Sequence, residues 1–405
     1  MKIAVLISGG VDSAVVVDRL YKEGHDLSLF YIRIGMDTDE GDCSAEEDIE
    51  MCTLIARKYS LPLKVVSLHE EYWSHVMAYT LETVRKGLTP HPDMMCNKMI
   101  KFGFFEERWG HEFDAVATGH YASVKVVEGK KFLATAADPV KDQTDFLARI
   151  SYSQLDHLIF PLGDIPKSDV RAMASDAGLP NATRKDSQGI CFLGKIDYSD
   201  FIRRHLGERE GAIVEIETGR KIGSHKGYWF HTIGQRKGLG LSGGPWYVVK
   251  KNIRDNVVYV SNGYDTRRQY GRRIALEEMN WITLDPFEDH SVAALNVENE
   301  SMRISFKTRH TPHFSPAEMH RRKDGSYVIE AEEDVQGIAP GQFAVIYTPD
   351  NQLCLGCGMI SLPASGHRHK RRRDKHKEIF ENNNNVNRSH NDEETSSAPF
   401  SGHNL

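Results

Sequence analysis

Six consecutive residues, SGGVDS at positions 8–13, have the composition of an anion cradle. Gly9 and Gly10 let the backbone turn sharply and present amide hydrogens, while Ser8 and Ser13 add hydroxyl donors. The spacing of Val15, Val16 and Leu20 predicts a helix directly afterwards, with its N-terminus aimed at the same point. The loop lacks the lysine of GxxxxGK[ST], so it is not a Walker loop around a transferred γ-phosphate. Two thiols offer a second chemistry. Cys96, in PDMMCNKMIKFG, is expected just before a helix, where the dipole and free amides favour a thiolate. Cys191, in KDSQGICFLG, follows Gly189 with Arg184 and Lys185 nearby, which has the same effect. Taken singly, either reads more readily as a buried structural cysteine. The remaining cysteines carry less. Cys354 and Cys357 form a CxxC without a second CxxC or a histidine pair at zinc spacing, and read as an incidental strand pair. Cys43 and Cys52 flank an acidic helix start and read as structural.

The elements that must position these residues alternate. A strand at 3–7 runs into the glycine turn and a helix that Gly24 ends; LSLFYIRI and LPLKVVSL are further strands, with AEEDIEMCTLIARKY a helix between them. Helices near 72–85 and 97–109 and a strand at 115–118 continue the pattern, and helical periodicity extends to about Leu206. The expectation is an α/β fold, a doubly wound parallel sheet over residues 1–207. Glycine then becomes frequent, and WYVVKK and NVVYVSN predict hairpins in a small β-rich central domain at 208–277. MRISFKTRH, GSYVIEAEE and GQFAVIYT predict a C-terminal β-barrel at 278–362. Residues 363–405, with four consecutive asparagines, are too poor in apolar residues to fold and read as a disordered tail, its basic run at 368–377 solvated.

Composition sets the outer limits. The chain has 405 residues, 40% hydrophobic and 27% charged, which excludes wholesale disorder. A net charge of -6 excludes a protein wrapped over its whole surface in nucleic acid, but the charge is uneven. Residues 37–50 hold eight acidic side chains and no basic one, whereas 181–251 hold thirteen Lys and Arg against seven Asp and Glu. A polyanion is therefore expected against the middle of the chain. Six cysteines without a secretory leader indicate a reducing cytoplasmic location, and no run approaches the ~18 apolar residues of a membrane span.

SGGxDS after an N-terminal strand resembles the PP-loop pyrophosphatase superfamily, whose members split ATP between its α and β phosphates and adenylate their substrates. The wider set SGGVDS, TPHPDMMCNKMIKFG, ATGHYA, KDQTDFL, RKDSQGICFLG, HTIGQRKGLG, PWYVV and GIAPGQF resembles the tRNA-specific 2-thiouridylases over residues 1 to about 360. That resemblance implies adenylation of the C2 oxygen of a tRNA wobble uridine and its replacement by sulfur. Cys191 would carry the persulfide, Cys96 would release the sulfur by forming a disulfide, and Asp93 would be an acid or base near the target base. ATP would lie on Leu6, Ile7, Ser8, Gly9, Gly10, Val11, Asp12, Ser13, Ile32 and Gly119, with Asp12 organising Mg2+ and pyrophosphate. tRNA would meet His91, Pro92, Asp93, His120, Lys141, Asp142, Gln143, Arg309, His310 and Gln342, and a persulfide donor or relay protein is implied as a partner. Departures from the family pattern fall at His91 in TPHPD, at Arg33 and Ile34, at TDF, and at His310. Three alternatives stay open beside this reading: a PP-loop ligase acting on a small molecule, a tRNA-binding protein that uses ATP only as a ligand, and a tRNA thiolase using sulfide on an iron-sulfur cluster held by Cys96, Cys191 and Asp93.

Overall fold

A computed structural model describes residues 1–35, 43–186, 198–263, 267–293 and 295–362; the expected tail at 363–405 lies outside them. The N-terminal part is built on β1 (Lys2–Leu6), α1 (Val11–Lys22), β2 (Asp26–Arg33), α2 (Cys43–Tyr59), β3 (Leu63–Ser67) and β4 (Ala115–Ala117). A hairpin of β5 (Ser123–Val127) and β6 (Lys130–Ala134) follows, then β7 (Leu158–Ile159). Strands β3-β2-β1-β4-β7 form one parallel sheet, with Ile3 level with Leu27 and Ala115. Alternation along β1 decides the layers: Ile3 and Val5 enter a core with Val15, Val16 and Leu20 of α1, while Ala4 faces a second core with Phe30, Phe105 and Cys96. Helices thus cover both faces, as a buried parallel sheet requires.

The central sheet has the order β10 (Trp246–Asn252), β11 (Val257–Asn262), β8 (Gly211–Glu215), β9 (Lys221–His225), around Ile213, Val248, Val258 and Val260. Six further strands close into a barrel: β12 (Tyr270–Trp281), β16 (Tyr327–Gln336), β15 (Ser315–Arg321), β14 (Ser301–Lys307), β17 (Phe343–Tyr347) and β18 (Leu353–Ile360), with β18 returning to β12. The short β13 (Val297–Glu298) pairs with β14. β12 runs unbroken past residue 277, where the sequence suggested a change of domain.

The β5–β6 hairpin is absent from the sequence expectation. It turns through Glu128 and Gly129, both at positive φ, and β6 then pairs with β18 through Ala134–Leu353 and Leu133–Cys354. The N-terminal part therefore contributes two strands to the barrel's sheet, a partnership across more than half the chain that local periodicity does not reveal. Among the described residues no helix is long and apolar enough to cross a membrane.

Candidate functional site

The residues expected at the phosphate site collect at the carboxyl ends of β1, β2 and β4, where ligands of open α/β sheets sit. Leu6 and Ile7 close β1, Ile32 lies near the end of β2, and Gly119 follows β4. Gly9 is left-handed at φ +74, and a Cβ there would stand 2.9 Å from the Asp48 carbonyl oxygen. Gly119 backs onto α1, since a Cβ would meet the Ser13 nitrogen at 3.1 Å. The Ser13 hydroxyl donates to Gly10 O at 3.1 Å and accepts the Ser8 N–H at 3.2 Å, which folds the loop over the start of α1. Gly10 stands at the N-cap without a side-chain cap, so the helix N-terminus keeps the character of an anion seat.

Side chains remote in sequence surround this loop. Asn181 Nδ2 and Arg184 donate to Gly9 O at 2.9 and 3.1 Å, and Arg184 pairs with Asp48 of α2 at 2.5 Å. Asp12 Oδ1 accepts from Lys167 Nζ at 2.6 Å and from the Tyr121 hydroxyl at 2.8 Å. Lys167 also reaches Asp186 at 2.9 Å, as does Lys141, and Arg171 joins the same carboxylate. Burial alone would raise the Asp186 pKa, but Lys141 and Lys167 outweigh it and hold it at about 2. Cys52 lies under the loop, and burial, then the nearby Asp48, push its thiol up to about 12. It is a protonated structural group there.

None of Lys167, Asn181, Asp186, Asp48 and Tyr121 was singled out by the sequence reading, and Arg184 entered it only as a neighbour of Cys191. One signal was available: Lys167 and Arg171 are cations four residues apart on one helix, Lys167–Asp176, an arrangement that calls for a carboxylate between them.

The thiol region is dry by comparison. Cys96 is 1% exposed and packs in the core that contains Met94, Ile100 and Phe102. It ends the helical turn Pro92–Cys96, which continues through Asn97–Phe104 and Phe105–Arg108, so it lies one turn inside a helix and not ahead of it. The helix begins where Pro92 presets the backbone and where His91 acts as N-cap, its Nδ1 accepting the Met94 N–H at 3.4 Å. Burial lowers the His91 pKa, which keeps the ring neutral and able to accept. Asp93, in the first turn, receives the Asn97 N–H on its carbonyl. Cys191 lies outside the described residues, so its distance from Cys96 is left open. Cys354 and Cys357 are both fully buried on β18, with Cys357 Sγ 4.0 Å from Met94 Sδ.

The residues expected to meet tRNA divide into two kinds. Lys141, Gln143, His120, Arg309, His310 and Gln342 keep partial or full exposure, but Asp142 is 2% exposed and pairs inside the molecule with Lys307, itself 1% exposed, at 3.2 Å. This buried pair, with Thr144 on the Tyr347 hydroxyl at 3.0 Å, attaches the 141–144 segment to the barrel. Asp145 holds His310 at 3.0 Å, and that bond raises the His310 pKa. His120 is bonded to Thr118 at 2.7 Å, and burial pushes its pKa well down. Arg309 donates to Gly337 O at 3.1 Å, Gln342 follows Pro340 and Gly341, and Pro340 O accepts the Thr89 N–H at 2.8 Å, which brings the GIAPGQF loop beside His91 and Pro92.

A parallel sheet with a glycine phosphate loop after its first strand defines a nucleotide-binding α/β domain, here joined to two β domains. Family models agree in that order: a tRNA methyl transferase HUP domain matches residues 1–195, a tRNA methyl transferase PRC-barrel domain 199–262, and an aminomethyltransferase beta-barrel domain 272–360. The chain is 60% identical over 363 residues to the tRNA-specific 2-thiouridylase MnmA of Porphyromonas gingivalis, covering 89% of this chain and 99% of that one. It is 58% identical over 362 residues to the protein of that name from Parabacteroides distasonis, again covering 89% and 99%, and 57% identical to MnmA 1 of Bacteroides thetaiotaomicron, covering 89% and 100%. This chain belongs to the tRNA-specific 2-thiouridylase family.

Proposed function

We propose that the chain carries out ATP-dependent 2-thiolation of a tRNA wobble uridine, with ATP on the 8–13 loop and sulfur passing through Cys191 and Cys96. The observation that carries this reading is an anion-seating loop on β1–α1 in the same α/β domain as the buried thiol of Cys96, in a chain with 60% identity to a 2-thiouridylase. The uridine C2 oxygen attacks the α-phosphorus of ATP and pyrophosphate leaves into the loop. The terminal sulfur of a Cys191 persulfide then attacks C2 and AMP departs with its oxygen. The Cys96 thiolate attacks the inner sulfur, the S–S bond breaks, its electron pair stays with the sulfur on C2, and a Cys96–Cys191 disulfide forms. A thiol reductant restores both cysteines, and a sulfur donor of persulfide type reloads Cys191. Asp93 would move the proton at the base, and the wobble uridine would be splayed out of the anticodon loop to reach it.

Asp12 suits magnesium because, among the described residues, its donors Lys167 and Tyr121 both take Oδ1, which leaves Oδ2 for the ion. One carboxylate plus phosphate oxygens is a usual magnesium environment, and the ion would neutralise charge on the departing pyrophosphate. Among the described residues no group of three or more His, Cys, Asp or Glu is arranged to hold a metal.

The test is an anaerobic reaction of protein, magnesium ATP, a persulfide donor and unmodified tRNA, with digested nucleosides read by mass spectrometry. Wild type is expected to form thiouridine, and Cys191→Ser and Cys96→Ser to lose it by at least about a thousandfold while still releasing pyrophosphate. Thiouridine from Cys191→Ser would overturn the sulfur path, and AMP formation with a small-molecule acceptor alone would favour a ligase.

A further inference from the structure

One carboxylate touches cations from both functional segments. Asp186 Oδ2 accepts from Lys141 Nζ at 2.9 Å, and Oδ1 accepts from Lys167 Nζ at 2.9 Å and from the Arg171 guanidinium. Lys167 Nζ is in turn 2.6 Å from Asp12 Oδ1 in the phosphate loop. A parallel connection uses Gln143, whose Oε1 accepts the Tyr121 N–H at 3.0 Å and whose own N–H donates to Tyr121 O at 2.8 Å. The Tyr121 hydroxyl ends on Asp12. Asp138 closes the turn, accepting the Lys141 N–H at 3.1 Å and the Lys167 N–H at 3.0 Å. The 138–143 turn and the phosphate loop are therefore bonded through the same few side chains.

Lys167 is shared between two carboxylates, so its position depends on what else each one holds. The side chains of Asp186, Lys141 and Asp12 are 29%, 37% and 31% exposed, and that of Lys167, which lies between the two carboxylates, is 13% exposed, so the carboxylates and Lys141 are open to water while Lys167 always keeps one partner. At that depth an ion pair is worth little more than an exposed one, and partners exchange without the full cost of burying a lone charge. An RNA phosphate that draws Lys141 away leaves Asp186 short of one cation. Lys167, already 2.9 Å from Asp186, would then be held by that carboxylate and loosen from Asp12, so that Asp12 Oδ1 joins Oδ2 in facing magnesium and the departing pyrophosphate.

The geometry points to Asp186 as a positioning residue that couples tRNA on the 141–143 segment to magnesium-ATP on the phosphate loop. This rests on the proposed function, in which ATP and tRNA occupy those two segments. By linkage the coupling is reciprocal: tRNA tightens magnesium-ATP by the factor by which magnesium-ATP tightens tRNA.

The experiment measures binding of labelled ATP across a magnesium titration, with and without a tRNA whose wobble uridine is replaced by cytidine so that no reaction follows. In wild type the tRNA should lower the magnesium concentration for half-maximal ATP binding by about fivefold or more, the lower range of ordinary coupling energies. Asp186→Asn should bind both ligands with that shift reduced to less than about twofold, and Asp186→Glu should recover part of it. If Asp186→Asn does not fold, Lys141→Gln and Lys167→Gln are combined in a cycle, and their effects on the shift should be non-additive. A full shift in Asp186→Asn, or additive effects in the cycle, overturns the inference and leaves the proposed function standing. Wild type that binds ATP and tRNA without mutual effect does the same. Wild type that binds no ATP defeats the proposed function itself.

Discussion

Around residues 8–13 the approaching side chains include Asp48, Tyr121, Lys167, Asn181 and Arg184, and the three charged ones keep between 13% and 34% of their side-chain surface. The core that holds Cys96 includes Met94, Ile100 and Phe102, none more than 3% exposed. Both groups lie against the same parallel sheet, on opposite faces. A phosphate seat must exchange partners as charge arrives and leaves, and charges kept near water do so at small cost. A thiol with the sulfur role proposed for Cys96 would gain protection from stray oxidation by the opposite treatment, since oxidation follows exposure. Substitutions at the phosphate end should thus alter ATP handling with little change in stability, and those near the thiol and its barrel contact should do the reverse.

The largest expected effect is at the barrel contact. Lys307→Ala strands the buried Asp142 carboxylate and should cost about 3–5 kcal/mol, read by chemical denaturation. A loss under about 1 kcal/mol would break the comparison. Acid comes next, through the central sheet. Burial, then the neighbouring His225, push the His231 pKa from 6.5 down to about 4, so the ring is neutral in the fold. Its contribution is whole above pH 6.5 and is lost as pH falls toward 4, about 3 kcal/mol over that window, visible as a falling midpoint of unfolding. His310 has the opposite sign: its pKa is raised by Asp145, so that pair supports the fold at low pH and fades as pH rises through the raised value. His310→Phe should remove the alkaline drift and leave the acid one. The smallest stability effect belongs to the phosphate end, where Arg184→Ala should cost less than about 1 kcal/mol because the pair with Asp48 is part-exposed. The same variant should weaken ATP several-fold by loosening Gly9, and equal losses of stability and affinity would erase the distinction between the two regions.

Much of this arrangement was legible in the chain. The strands 3–7 and 27–34 appear as Lys2–Leu6 and Asp26–Arg33, and the predicted hairpin appears as Trp246–Asn252 with Val257–Asn262. Each depends on period and turn residues within a few positions. The hairpin Ser123–Val127 with Lys130–Ala134 was not legible because its partner, Leu353–Ile360, is over two hundred residues away. Cys96 was expected just before a helix at 97–109. Pro92 in fact opens the helix, capped by a histidine that becomes a good acceptor only once burial keeps it neutral.

The sequence alone determined a glycine turn followed by an amphipathic helix, because both are properties of adjacent residues, and Gly9 is left-handed and Gly10 stands at the N-cap as those residue types allow. Only the tertiary structure decided which cation meets which carboxylate. Lys167 lies 155 residues from Asp12 and Lys307 lies 165 from Asp142, and at such separations any lysine of the chain is an equal candidate until the sheet, the barrel and their shared hairpin fix the distances. Coulomb energy depends on separation in space and on local exposure, and neither quantity is written in the order of residues.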